Sequence, residues 1–86
     1  MEWTYKISAS VRPKVLVRVV QVFDQQSVLM RRCLLEECAE LLQIVIVAEV
    51  DEALAQRIQA KLYKLVDLLE VKLAAGRVVA DVLSIG

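Results

Sequence analysis

The segment from Asp51 to Leu73 constrains the fold most, because the spacing of its apolar residues changes from helical to strand-like. Asp51 can cap the N-terminus of a helix, and Glu52 lies near the positive end of its dipole. The stripe of this helix that faces the core comprises Leu54, Ile58, Lys61, Leu62 and Leu65, with the charged end of Lys61 able to reach water at its edge. Leu69, Val71 and Leu73 then alternate with charged residues in a half-buried strand that ends before Gly76. A helix running directly into a strand indicates an α+β domain.

The N-terminal part of the chain predicts a strand followed by a helix. Apolar and polar residues alternate over residues 3–11, which favours a strand with Trp3 and Tyr5 on its buried face. Pro13 suits the first turn of a helix, so we expect a helix over residues 13–25. This helix is rich in β-branched valine and has poor intrinsic propensity, so packing against a sheet must stabilise it.

Residues 27–50 fit two strands better than one long element. We expect a turn around Cys38-Ala39-Glu40 and an irregularity near Arg31-Arg32 that interrupts strict alternation in the earlier strand. The earlier strand would contribute to the core through Met30, Cys33 and Leu35. The later strand has a regular apolar face: Leu42, Ile44, Ile46, Ala48 and Val50. The complete order is therefore βαββαβ.

This order predicts a ferredoxin-like sandwich for residues 1–76, with a four-stranded antiparallel sheet and two helices on one face. Right-handed crossovers place the helices together, and the third strand fills the gap between the first two. Residues 77–86 remain as a C-terminal tail, whose helical spacing fits docking on a partner as well as fraying. This spacing is carried by Val78, Val79, Val82 and Leu83.

Composition and the predicted edge strand both favour association. The chain has 86 residues, of which 58% are hydrophobic, and a mean hydropathy of +0.55, which is high for a small monomer. The second strand would lie at a sheet edge with Leu34 and Leu35 on opposite faces, so we predict a homodimer through this strand. There is no apolar run of about 18 residues that would cross a membrane. The N-terminus also lacks a secretory signal, so the cytoplasm is the expected location.

Charge and residue types argue against several function classes. The formal net charge is +0, which disfavours a nucleic-acid partner. There is no histidine, and Cys33 and Cys38 lack zinc-ligand spacing, so we expect two buried thiols, no metal and no cofactor. Glu36 and Glu37 point to opposite faces of a strand and cannot act as a carboxylate pair. We therefore expect no catalytic residues and no enzyme activity.

Two segments carry a family resemblance that spans residues from about Tyr5 to Leu73. Leu62 to Val71 reads LYKLVDLLEV, and Arg18 to Phe23 reads RVVQVF. The first resembles the Lys-Leu-Val-Asp-Val segment at the end of the second helix in ACT domains, in particular in the small regulatory subunits of acetolactate synthase. The second resembles the Arg-Val-hydrophobic-x-hydrophobic-Phe stretch of the first helix in that family.

The resemblance implies an amino-acid site at a dimer interface, between the loop after the first strand and the second strand of the neighbouring chain. The matching positions are Val11, Arg12, Lys14, Leu29 and Met30. The family pattern has Asn and Gly in the loop, where this chain has Val11 and Lys14. It has Gly before the second strand and Asn at its start, where this chain has Gln25-Gln26-Ser27-Val28 and then Leu29.

These departures leave the role of the candidate residues open. Arg12 and Lys14 could hold a ligand carboxylate with fixed charges, or they could be solvated loop residues that oppose the helix dipole. Met30 could line a side-chain pocket or fill the core. The resemblance implies a non-catalytic regulatory subunit of a branched-chain amino-acid biosynthetic enzyme that binds its catalytic subunit. The alternative is a stand-alone amino-acid sensor.

Overall fold

The computed structural model describes residues 1–77, and its six elements occur in the predicted order. They are β1 (Glu2–Ser10), α1 (Val15–Gln25), β2 (Leu29–Cys38), β3 (Leu41–Glu49), α2 (Glu52–Tyr63) and β4 (Leu68–Ala75). The strands form an antiparallel sheet in the order β2-β3-β1-β4, with both helices packed on one face. The predicted fold class is confirmed. Residues 78–86, most of the predicted tail, lie outside the described residues.

The core lies between the helices and the central strands, and Tyr5 connects its parts. Its ring is fully buried, meets Phe23 of α1 edge to face at 5.0 Å, and donates a hydrogen bond of 2.9 Å to the carbonyl of Ala55 in α2. Burial raises the pKa of Tyr5 to about 12. The strands supply further buried residues: Ile7, Ile44, Ile46, Ala48 and Val71. The helices supply the opposing layer: Val19, Val22, Ile58 and Leu62.

Three local predictions are confirmed. Asp51 caps α2, with its Oδ1 accepting the backbone N–H of Leu54 at 2.8 Å. The turn between β2 and β3 consists of Ala39 and Glu40, whose φ values of 51° and 67° are those of a tight hairpin turn. The β2–β3 register shifts between Met30 and Arg32, where the sequence alternation is interrupted.

The predicted start of α1 is wrong. The helix begins at Val15 rather than at residue 13, because the chain at Lys14 takes a left-handed conformation with φ 70° and cannot continue a helix backwards. Pro13 therefore lies in the turn before the helix instead of in its first turn.

The predicted core faces of the two edge strands also need correction. Cys33 is exposed, Cys38 is only half-buried and Leu35 is 49% exposed, because β2 lies at the margin of the helical layer. On β4, Leu69 is 57% exposed. The register shift between Ser8 and Ala9 instead places Leu68 opposite Ala9, where it packs against the core. No helix within residues 1–77 is long and apolar enough to cross a bilayer.

Candidate functional site

The loop between β1 and α1 carries three of the five predicted ligand-binding residues. Val11, Arg12 and Lys14 are all exposed. The end of the preceding strand is fixed by the N–H of Ser10, which donates to the carbonyl of Asp67 at 2.9 Å. A strand end held by a backbone hydrogen bond therefore presents a short, accessible loop at one end of the sheet.

Lys14 gives this loop a distinctive backbone. It is the N-cap of α1 with φ 70°, and its side chain makes no capping hydrogen bond. A non-glycine residue in this region costs roughly 1–2 kcal/mol, so glycine would fit better. The resemblance to ACT domains expects glycine here. The conformation that glycine favours is thus present although the glycine is not.

The segment before β2 likewise has a residue other than glycine in a left-handed conformation. Ser27 has φ 55°, in the stretch where the family pattern has glycine. Leu29, the first residue of β2, is 56% exposed, whereas Met30 is half-buried and packs against the core. This packing fits the interpretation of Met30 as a residue that fills the core. Both loops therefore keep left-handed positions without the glycines that usually occupy them.

One chain does not bring the five predicted residues together. Ser10 pairs with Leu41 at one end of β3, whereas Leu29 pairs with Glu49 at the other end. Eight residues of strand separate these levels, which corresponds to about 26 Å. The loop residues Val11, Arg12 and Lys14 thus lie at the opposite end of the sheet from Leu29 and Met30. A site using both groups requires a second copy of the chain.

The charges in the loop suit an anion. Arg12 and Lys14 form no ion pair with another residue in the described range 1–77. They flank a helix start without a side-chain cap, where first-turn N–H groups can meet a carboxylate, although that of Val15 donates to the carbonyl of Arg12 at 3.5 Å. The residues 1–77 contain no cluster of potential metal ligands. The arrangement can therefore hold a small carboxylate through charges and amides.

A shallow pocket beside the loop was not predicted. Its wall combines the Arg18–Asp67 ion pair, at 3.6 Å, with apolar side chains from α1 and the α2–β4 turn. The lining residues are Val15, Arg18, Leu65, Val66, Asp67 and Leu68. Sequence spacing alone could not pair Arg18 with Asp67, since 49 positions along the chain separate them.

The element order and the strand order define a ferredoxin-like α+β fold. Similar solved structures include the ACT domain of GTP pyrophosphokinase from Chlorobium tepidum, with TM-score 0.78 and 12% identity over 90% of this chain and 89% of that one. The acetolactate synthase small subunit from Thermotoga maritima gives TM-score 0.74 and 22% identity over 84% of this chain. This chain covers 46% of that subunit. The sequence matches no protein-family model and no curated protein.

A homoserine dehydrogenase from Thiobacillus denitrificans is also similar, with TM-score 0.70 and 19% identity over 84% of this chain and 16% of that one. At these identities the likeness establishes the fold alone. The expected ACT-like fold and the resemblance to the acetolactate synthase small subunit are therefore confirmed at the level of structure.

Proposed function

We propose that this chain is a non-catalytic regulatory module that dimerises through β2 and binds an amino acid at the dimer interface. The observation that carries this proposal is the split site: the cationic loop and the start of β2 lie at opposite ends of one sheet. The similar structure of an acetolactate synthase small subunit supports a regulatory role. In this proposal the partner is the catalytic subunit of a branched-chain amino-acid biosynthetic enzyme in the cytoplasm.

The edge position of β2 explains how a second copy would complete the site. β2 pairs with β3 on one side only within the described residues, and it exposes Leu29 and Leu35. Antiparallel pairing of two β2 strands would bring Leu29 of the partner to the Cys38 end. The loop residues Arg12 and Lys14 lie at that same end. Three strand spacings, about 14 Å, would then separate β1 from the partner's β2.

The interface can be tested by the mass of the protein in solution. Leu35→Lys places a charge on the β2 edge and should convert the dimer to monomer, because edge lysines oppose strand pairing. Leu69→Lys makes the same substitution on β4, the other edge strand, at a position of similar exposure. Light scattering should give a dimer for wild type and Leu69→Lys, and a monomer for Leu35→Lys. A monomeric wild type, or dissociation only by Leu69→Lys, would contradict the proposal.

Ligand binding can be tested by thermal unfolding with each standard amino acid. A ligand at 100 times its Kd should stabilise the protein by about 2.7 kcal/mol, or on the order of 10 °C in a domain of this size. Arg12→Ala should remove the shift, while Arg57→Ala, an exposed arginine on α2, should retain it. If no amino acid shifts the melting temperature, ligand binding is wrong and a scaffold role remains.

The alternative is a stand-alone amino-acid sensor, which would use the same loop cations, Arg12 and Lys14. Co-elution with the catalytic subunit separates the two functions. A regulatory subunit should co-elute and change the rate of the catalytic subunit. A sensor should bind its amino acid with no such association.

A further inference from the structure

The face of the sheet opposite the helices contains an apolar strip. Because neighbouring strands pair in register, Thr4 on β1, Val47 and Val45 on β3, and Leu34 on β2 all point to this open face. We refer to these four residues as the open-face strip. Their neighbours Tyr5, Ile44 and Ile46 point to the helical layer instead.

The centre of this strip is as well buried as the main core. Thr4 and Val47 are 0% exposed and Val45 is 2% exposed. The two apolar clusters that join the sheet to the helices include neither valine. Both helices of residues 1–77 lie on the other face. Burial of this degree requires an additional layer over the open face.

The chain leaves the described region on this side of the sheet. Gly76 turns the backbone with φ 83° after β4, and its N–H donates to the carbonyl of Glu2 at 2.7 Å. Thr4 Oγ1, on the open face, donates to the carbonyl of Gly76 at 2.7 Å. Arg77 then forms two hydrogen bonds, of 3.1 and 2.8 Å, with the carboxylate of Glu2, which also points to the open face. The described part of the chain therefore ends above the strip.

We propose that residues 78–86 of the same chain dock on the open-face strip and form a second, smaller apolar layer. The segment reads VVADVLSIG, with apolar residues at helical spacing and Asp81 and Ser84 on the other side of that pattern. Its nine residues span about 13 Å as a helix or about 30 Å when extended. Only two strand spacings, about 10 Å, separate β4 from β3. The segment thus has both the length and the composition to cover Val45 and Val47.

The proposal can be tested by nuclear magnetic resonance on the full chain. Methyl groups of Val45 and Val47 should show nuclear Overhauser effects to residues 78–86. A sample that mixes labelled and unlabelled chains distinguishes contacts within one chain from contacts between copies. Contacts that persist within one chain support the proposal. Contacts found only between copies, or none at all, overturn it.

A matched pair of variants tests the same contact by a second route. Val82→Asp adds a charge on the apolar side of the segment and should abolish these effects and shift the Val45 and Val47 methyl resonances. Ser84→Asp adds the same charge on the polar side and should leave both unchanged. Unaltered Tyr5 and Phe23 ring resonances verify that the main core is intact. Equal responses to the two variants would contradict docking through the apolar side.

Discussion

The two halves of this domain differ in helix capping, strand burial and strand register. The second half, β3-α2-β4, has a capped helix with Glu52 in its first turn and Lys61 in its last. Its central strand β3 is buried along most of its length. The first half, β1-α1-β2, has a helix without a side-chain cap and without charged residues that complement its dipole. Its outer strand β2 has a register shift and is largely exposed.

This difference separates scaffold from candidate site. The second half follows the ordinary rules for helix capping and strand burial, and its residues are held mainly by the core. In the first half, the left-handed Lys14 and Ser27 lie next to the two groups of candidate ligand-binding residues. Strained backbone and an exposed edge reduce stability but leave amides, charges and strand edges available to a ligand or second copy. Substitutions in each half can test whether stability and the candidate site belong to different halves.

The largest expected effect is the loss of a core side chain from the second half. Ile58 on α2 is fully buried, so Ile58→Ala should lower the free energy of unfolding by about 2–5 kcal/mol. Val17 on α1 is 55% exposed, and Val17→Ala should change it by less than about 0.5 kcal/mol. Urea unfolding measures both. Similar losses at the two positions would mean that burial against the sheet does not determine the cost of removing an apolar side chain from these helices.

Removing the helix cap should have the next largest effect. Asp51→Ala removes the side-chain acceptor of the Leu54 N–H and should cost about 1 kcal/mol. Glu52→Ala, at the neighbouring position, removes a charge near the helix dipole but no capping hydrogen bond, and should cost about 0.5 kcal/mol. Urea unfolding at low and high salt separates the two, because salt screens the charge effect that both residues share but not the capping hydrogen bond that only Asp51 makes. If Asp51→Ala is as stable as wild type, the side-chain cap of α2 does not contribute the stability that α1 lacks.

The element order and several local features could be predicted from the sequence because each depends on neighbouring residues. The cap at Asp51, the turn at Ala39-Glu40 and the register shift at Arg31-Arg32 all follow from local residue chemistry. The exposure of Cys33 and Leu35 does not follow from local residue chemistry. It depends on how far the helical layer extends over the edge of the sheet, which the alternation of a single strand does not encode.

The candidate site could be predicted only in part. Its residues were predicted from the resemblance, and in the structure the strand levels of Ser10 and Leu29 lie about 26 Å apart along β3. The left-handed positions could not be recognised in the sequence, since lysine and serine occupy them instead of glycine. Ligand binding by these residues stays a prediction. The Arg18–Asp67 pair at the neighbouring pocket needed the tertiary structure to be recognised.

An effect of about the same size as loss of the cap is expected where the two halves meet. Tyr5→Phe removes the hydrogen bond from β1 to Ala55 of α2 and should cost about 1 kcal/mol at neutral pH. The pKa of Tyr5 is raised in the folded state to about 12, so the folded protein keeps the phenol proton that the unfolded chain loses above pH 10. Stability from this group is complete below about pH 10 and falls as the pH rises toward 12. The stability difference between wild type and Tyr5→Phe should therefore shrink over this interval in urea unfolding, and a constant difference would contradict it.

The smallest effect should be a gain, and it tests the first half directly. Lys14→Gly relieves the left-handed strain at the start of α1, which exceeds the entropy that glycine adds to the unfolded chain, so the protein should be stabilised by about 0.5 kcal/mol. Lys64→Gly is the matched control, because Lys64 has a right-handed φ of −80° at the end of α2 and gains no such relief. Thermal unfolding should show a small rise for Lys14→Gly and a fall for Lys64→Gly. If both variants lose stability, the Lys14 conformation is not strained, and the irregularity of the first half has no energetic cost at the loop that would hold the ligand.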